Sequence, residues 1–143
     1  MAIPTPEPGL VISYAYLWRH EHNRGHEEGR KTRPCVVILA VEGRSAAVRV
    51  TVAAITHTAP DADTVALEVP PRVKQHLGLD DERSWIILDE VNQFDWPGFD
   101  LRPVPGRSDT YDYGFIPPKL YAAAKDRLLE ASASRRTKII PRD

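Results

Sequence analysis

The sequence predicts a mainly β domain with appended helices, and three observations support this class. Short apolar runs rich in β-branched residues alternate with polar turns. The 13 prolines among 143 residues favour short elements over long helical bundles. Apolar residues recur at helical spacing over several turns only near the C-terminus. A chain of this length can bury roughly 68% of its unfolded surface in one core, so a single domain is expected.

The first predicted strand covers residues 10–18. Both of its alternating faces are largely apolar, which predicts burial on both sides. The polar residues 19–32 follow neither the helical nor the strand period, and they are predicted to form a long loop. Loops of this length in compact domains usually carry function or move. A solvated loop of mixed charge is the alternative interpretation.

A β-hairpin is predicted next. Residues 35–41 are an apolar, β-branched run that ends in a polar turn around Gly43, and residues 46–56 alternate apolar and polar side chains as a return strand. A short strand is predicted over residues 65–69. Pro71–Leu77 reads as a short helix because proline suits its start and Gly78 suits its C-terminal cap.

The remaining elements are one strand and one long helix. Residues 84–91, centred on an apolar run, are predicted to form a strand, whereas the proline- and glycine-rich residues 95–114 are predicted to be irregular. Residues 117–132 are predicted to form a helix whose apolar face is Leu120, Ala124, Leu128 and Ala131. Together these elements predict a small SH3-like barrel plus a C-terminal helix over residues 1–134, followed by a basic, mobile tail over residues 135–143.

Composition excludes several function classes. Cys35 is the only cysteine, so no internal disulfide can form. The N-terminus lacks the features of a signal peptide, and no apolar stretch has the roughly 18 residues needed to span a bilayer. The expected location is therefore the cytoplasm, with no membrane contact. The net charge of -1 predicts that any nucleic-acid site is local.

The predicted hairpin places two polar residues at one open end. Arg33 precedes its first strand and Thr56 ends its second strand, and each lies about one strand length from the Gly43 turn. Their side chains are therefore expected to converge. The sequence has no glycine-rich phosphate loop, serine nucleophile elbow or paired-cysteine metal site.

At these residues the sequence resembles the MazF/PemK family of toxin ribonucleases from toxin-antitoxin pairs. The resemblance follows the order of a glycine-led strand, a polar loop entering Arg-Pro, a strand ending in threonine, and a later acidic strand. These features stand here as Gly9-Leu10-Val11-Ile12, Lys31-Thr32-Arg33-Pro34-Cys35-Val36-Val37, Ala54-Ile55-Thr56 and Leu88-Asp89-Glu90-Val91-Asn92-Gln93-Phe94-Asp95.

The resemblance implies an SH3-like barrel, usually a homodimer, that cleaves single-stranded RNA and is neutralised by an antitoxin protein. It implies that Arg33 and Thr56 act at the phosphate and that Asp89 occupies an acidic position of the family. The sequence departs from the family in two features. Ile87 stands where some members have arginine, and the loop before Arg33 is longer and rich in histidine.

Metal-free RNA cleavage suits these residue types. The adjacent 2′-OH is the nucleophile, so the protein must supply a proton acceptor, a proton donor and a cation for the crowded phosphate. Arg33 and Thr56 can hold the phosphate, and His57 is the candidate acid or base, with Glu28 and Asp89 as rivals. No metal or other cofactor is expected. The substrate-binding candidates are Glu28, Arg30, Lys31, Asp89 and Trp96.

Alternative interpretations remain open at this point. The domain could be a non-catalytic SH3-like module that binds nucleic acid or a protein. It could instead be a metal enzyme that uses His20, His22 and His26. Tyr14, Tyr16, Trp18 and Trp85 could stack on bases, but core packing is the favoured interpretation, and Cys35 is expected to be a small buried apolar residue.

Overall fold

The computed structural model describes residues 3–20, 31–43, 47–134 and 136–142, and it confirms a mainly β fold. The described residues form eight strands and two helices. In chain order these are β1 (Leu10–Ala15), β2 (Thr32–Glu42), β3 (Val48–Thr56), β4 (Ala66–Glu68), α1 (Pro71–Leu77), β5 (Trp85–Ile87), β6 (Glu90–Asp95), β7 (Asp112–Phe115), α2 (Pro118–Ala133) and β8 (Lys138–Pro141).

One curled sheet contains all of these strands. Its main order is β4-β5-β3-β2-β1-β7, and β6 pairs with both β3 and β8. Every pair is antiparallel except β6 with β8. The central strand β3 pairs with β2 on one edge and with β6 and then β5 on the other. The pairs among the described strands give a barrel-like sheet that is not closed into a ring.

Two apolar clusters lie on opposite faces of the sheet. One is covered by α1 and α2, and the other contains the aromatic residues Tyr14, Tyr16 and Phe94. Alternate residues of β1 enter different clusters, since Val11 belongs to the first and Ile12 to the second. The predicted burial of the first strand on both sides is thereby confirmed, and so is the core position of Tyr14, Tyr16 and Cys35.

The helices agree closely with the prediction. Helix α1 has the predicted bounds, and Gly78 ends it in the left-handed conformation at a φ of 72°. Helix α2 buries Ala124, Leu128 and Ala131, which lie on its predicted apolar face. Neither helix is long and apolar enough to cross a membrane.

The prediction of one continuous strand over residues 84–91 is wrong. Two strands, β5 and β6, replace it, and they pair with different parts of β3. Between β5 and β6 the chain forms two hydrogen bonds with Val65. The Leu88 amide donates to the Val65 carbonyl, and the Val65 amide donates to the Asp89 carboxylate at 3.2 Å. Two further differences concern β1 and β7. The first strand was predicted to reach residue 18 but ends at Ala15, and β7 begins inside residues 95–114, which were predicted to be irregular.

The C-terminal residues also differ from the expected mobile tail. Residues 138–141 form β8, which buries Ile140 and runs parallel to β6. The next residue, Arg142, forms a buried salt bridge with Asp100, with 3.0 Å between Nε and Oδ2. Sequence patterns missed this strand because four residues are too few to show a period and its partners are distant along the chain.

Candidate functional site

The β2–β3 hairpin brings Arg33 and Thr56 to one cavity. The strand register pairs Cys35 with Ala54, and Arg33 and Thr56 lie two residues further along their strands, towards the same end. Both residues line a cavity of about 600 Å³. The expected convergence of the two side chains is therefore seen in the structure.

Arg33 has an unsatisfied polar atom in this position. Its Nε is buried and has no hydrogen-bond partner among the described residues. Its guanidinium carbon lies 5.2 Å from the centre of the Trp18 ring, which gives a cation–π contact. Leaving a buried donor unpaired costs about 1–3 kcal/mol, and more for a charged group. Arg33 as a whole is partly exposed and lines the cavity, so its guanidinium is suited to an anionic ligand.

Thr56 lines both cavities that Arg33 lines. Its Oγ1 accepts a hydrogen bond from the Thr58 amide at 3.2 Å. Because the oxygen is the acceptor in that bond, the hydroxyl hydrogen remains able to donate. Thr56 can thus give a hydrogen bond to an oxyanion while the turn after β3 holds it in place.

His57 lies between two carboxylates. Its Nε2 is 2.8 Å from Oδ2 of Asp80, and its Nδ1 is 3.5 Å from Oε2 of Glu82. Both carboxylates belong to the segment between α1 and β5. His57 therefore lies at the rim of the cavity with each ring nitrogen facing an acidic side chain.

A buried lysine fixes that segment. The Lys74 side chain is only 5% exposed, and its Nζ lies 2.6 Å from Oδ1 of Asp80 and also donates to the Glu82 carbonyl. The same Oδ1 accepts the Glu82 amide at 3.1 Å. The hydrogen bond from Lys74 lowers the pKa of Asp80. A buried ammonium needs such a partner, so this part of the cavity wall has a defined geometry.

The cluster of His57, Asp80 and Glu82 is the group among the described residues that could hold a metal ion. One ligand atom from each residue lies within 4.8 Å of the others. All three side chains are exposed, and Asp80 already pairs with the ammonium group of Lys74. The metal site considered from the sequence is a different one. His20 lines a second cavity, whereas His22 and His26 lie outside the described residues.

The second cavity, of about 430 Å³, shares Arg33, Thr56 and Thr58 with the first. Glu90 lies in its wall and accepts a hydrogen bond from the Tyr16 hydroxyl at 3.1 Å. Burial raises the pKa of Glu90. The other ionisable or aromatic residues of this wall are Trp18, His20, Asp61 and Asp89.

The structure separates the predicted substrate-binding residues. Lys31 lines the first cavity and Asp89 lines the second. Trp96 lies at neither: its amide donates to Val48 at the far end of β3, and its ring stacks on Phe94 with centroids 6.0 Å apart. Glu28 and Arg30 lie outside the described residues.

Four residues of the site were missed by sequence reasoning. Trp18 was interpreted as core, and it does pack against the aromatic cluster, but it is only half-buried and also lines the second cavity. Lys74 and Asp80 belong to a helix and a turn that carry no recognisable motif. Glu90 directly follows Asp89, and only the break between β5 and β6 shows that both carboxylates face this cavity.

Comparison with known proteins identifies the family of the chain. No curated protein sequence matches the chain. The model of the PemK-like, MazF-like toxins of type II toxin-antitoxin systems matches residues 15–101, which is more than half of the 143 residues. The matched segment contains Arg33, Thr56 and both cavities' carboxylates. The chain therefore belongs to the PemK-like, MazF-like toxin family of type II toxin-antitoxin systems.

Proposed function

We propose that this toxin is a metal-independent endoribonuclease that cuts single-stranded RNA in the cytoplasm. One observation carries the proposal: Arg33 and Thr56 line the same cavities, and the buried Nε of Arg33 has no partner among the described residues. An arginine and a hydroxyl in this arrangement suit a phosphodiester, because the planar guanidinium gives paired, charge-assisted hydrogen bonds to phosphate oxygens.

The proposed reaction uses a nucleophile from the RNA itself. The 2′-oxygen attacks the adjacent phosphorus and loses its proton to a base, while the bond to the 5′-oxygen breaks and that oxygen takes a proton from an acid. The products are a 2′,3′-cyclic phosphate and a 5′-hydroxyl. Arg33 stabilises the added negative charge of the transition state, and Thr56 donates a further hydrogen bond.

His57 is the proposed acid or base. It follows Thr56 directly and lines the first cavity. Because its ring nitrogens face Asp80 and Glu82, it must leave one of these contacts to exchange a proton with RNA. Asp89, which lines the second cavity beside Arg33, is the rival in the described residues. If the His57→Ala variant keeps the wild-type cleavage rate and pH profile, His57 is not the acid or base, and another group has that role.

The family supplies the proposed partners. A toxin of a type II system has an antitoxin protein as its partner, and we propose that this antitoxin covers the two cavities. We also propose that the toxin acts as a homodimer. Co-expression with the product of a neighbouring small gene should restore growth and give a complex in which RNA no longer reaches Arg33.

The test is RNA cleavage in the presence of a chelator. The wild type should yield ends with cyclic phosphate and 5′-hydroxyl groups, and its induction in cells should arrest growth. Thr56→Val should lower the cleavage rate about 10-fold through loss of one hydrogen bond. Thr51→Val is the matched control, since Thr51 lies on the same strand and lines neither cavity.

Two other outcomes identify other functions. RNA binding without any cleavage, reduced but not abolished by Arg33→Ala, indicates a non-catalytic module. Activity that is lost in chelator and restored by one divalent ion indicates a metal enzyme. Either result contradicts the proposed reaction.

A further inference from the structure

The two cavities that meet at Arg33 and Thr56 differ in charge. Among the described residues, the wall of the first contains Lys31, Arg33, Lys74 and Arg107 against one carboxylate, Asp80. The wall of the second contains three carboxylates, Asp61, Asp89 and Glu90, against the shared Arg33 and the imidazole of His20. The site therefore changes from basic to acidic across the Arg33–Thr56 pair.

This change of sign restricts how a nucleotide chain can lie. Phosphates carry negative charge, so the backbone is attracted to the first cavity and repelled from the second. A nucleobase is neutral and presents N–H donors at its edge. With the phosphate at Arg33, the part of RNA that suits the second cavity is therefore a base next to that phosphate.

The second cavity has the groups needed to hold a base. Its volume of about 430 Å³ falls within the usual range for small-molecule sites. Trp18 supplies an aromatic wall. Asp89 accepts one hydrogen bond from the Val65 amide, and Glu90 accepts one from the Tyr16 hydroxyl and one from the Arg19 backbone amide. A carboxylate has about four acceptor positions, so both side chains are held in place and can still accept from a ligand.

We propose that the second cavity is a base-selective subsite in which Asp89 and Glu90 favour bases with an exocyclic amino group over uracil. Cytosine, adenine and guanine each offer an amino group to a carboxylate. Uracil has a carbonyl oxygen where cytosine has its amino group, and carboxylate oxygens repel that oxygen. The inference rests on the proposed function, because it takes the Arg33–Thr56 pair as the phosphate site.

Binding to uncleavable oligonucleotides tests this subsite separately from catalysis. Single-stranded nine-residue oligomers of deoxycytidine and of deoxyuridine lack the 2′-OH, and fluorescence anisotropy gives their affinities. The wild type should bind the cytosine oligomer about 10- to 100-fold more tightly than the uracil oligomer, as expected for loss of a hydrogen bond to a charged group. Asp89→Asn and Glu90→Gln should each bring this ratio towards one.

Asp81→Asn is the matched control, because it removes an exposed carboxylate that lines neither cavity. It should keep the wild-type ratio. Equal binding of the two oligomers by the wild type, or a ratio that survives both Asp89→Asn and Glu90→Gln, overturns the subsite. The nuclease proposal fails on a different result. It is contradicted if the protein shows no Arg33-dependent cleavage of RNA in chelator, whichever base the oligomers bind best.

Discussion

Replacing Arg142 with methionine should destabilise the protein strongly, and more at neutral than at acid pH. Asp100 and Arg142 are 1% and 6% exposed at their side chains, and Nε lies 3.0 Å from Oδ2. Methionine keeps much of the apolar stem but removes the guanidinium. The Asp100 carboxylate is then left in the core with the Tyr14 hydroxyl at 3.5 Å.

The size of the loss has an upper bound. Removing one partner of a buried ion pair costs about 3–5 kcal/mol. The buried carboxyl can instead take up a proton, which costs about 1.36 kcal/mol for each pH unit above its unfolded pKa of about 3.9. The bound is therefore about 4 kcal/mol at pH 7 and about 1.5 kcal/mol at pH 5. Burial already raises the pKa of Asp100 in the wild type, and Arg142 opposes that rise. Without the guanidinium the folded variant takes up its proton at higher pH than the wild type, so the stability of the variant falls more steeply as pH rises.

Urea denaturation at pH 5 and pH 7 measures this difference. The Arg142→Met variant should lose about 3–4 kcal/mol at pH 7 and clearly less at pH 5. The double variant Asp100→Asn with Arg142→Met should lose less than the single variant at pH 7, because no charge is left buried. A loss below about 0.5 kcal/mol, or an equal loss at both pH values, refutes the buried pair.

Three further changes should lower the free energy of unfolding. Leu128→Ala removes a buried side chain of α2 and should cost about 2–5 kcal/mol in urea denaturation. Gly98→Ala should cost about 2–4 kcal/mol, because φ is +66° and the new Cβ lies 2.9 Å from the Phe94 ring. Asp80→Asn should cost about 1–2 kcal/mol at pH 7 by leaving Lys74 without its carboxylate, a figure reduced by the partial exposure of Asp80. Because the pKa of Asp80 is lowered in the folded protein, this cost should be fully present above the unfolded pKa of about 3.9 and should fade as pH falls from there through the folded pKa.

Each change has a matched control in the same chain. Leu129→Ala alters an exposed neighbour on α2 and should change stability little. Gly106→Ala carries the same left-handed φ cost as Gly98→Ala but meets no atom within 4 Å, so it should cost only about 1–2 kcal/mol. Asp81→Asn removes an exposed carboxylate and should change the free energy of unfolding little. Controls that lose as much as the test variants contradict these assignments.

Local patterns predicted the elements whose signals lie within a few residues. The bounds of α1 follow from a proline and Gly78, and the hairpin follows from two β-branched runs around Gly43. Strand β8 could not be predicted this way, because four residues show no period and its partner β6 lies far back in the chain. The break between β5 and β6 depends on hydrogen bonds to Val65, which are also distant in sequence.

The residues of the candidate site also fall into those that local sequence patterns predict and those that depend on distant contacts. Arg33 and Thr56 were predictable because a hairpin register relates positions on two neighbouring strands. The Lys74–Asp80 contact was not predictable, since it depends on how the turn after α1 folds back over a buried ammonium. Trp96 was predicted to bind substrate because it stands in a proline turn, but that turn lies at the other end of β3 from Thr56.

The single-turnover rate of RNA cleavage in chelator, compared between the wild type and Arg33→Met, tests the role of the guanidinium most directly. Arg49→Met is the control, because Arg49 lies on β3 and lines neither cavity. We predict a loss of about 100- to 1,000-fold for Arg33→Met and a nearly unchanged rate for Arg49→Met. An Arg33→Met variant that is folded and cuts RNA at the wild-type rate contradicts a role of the guanidinium in cleavage.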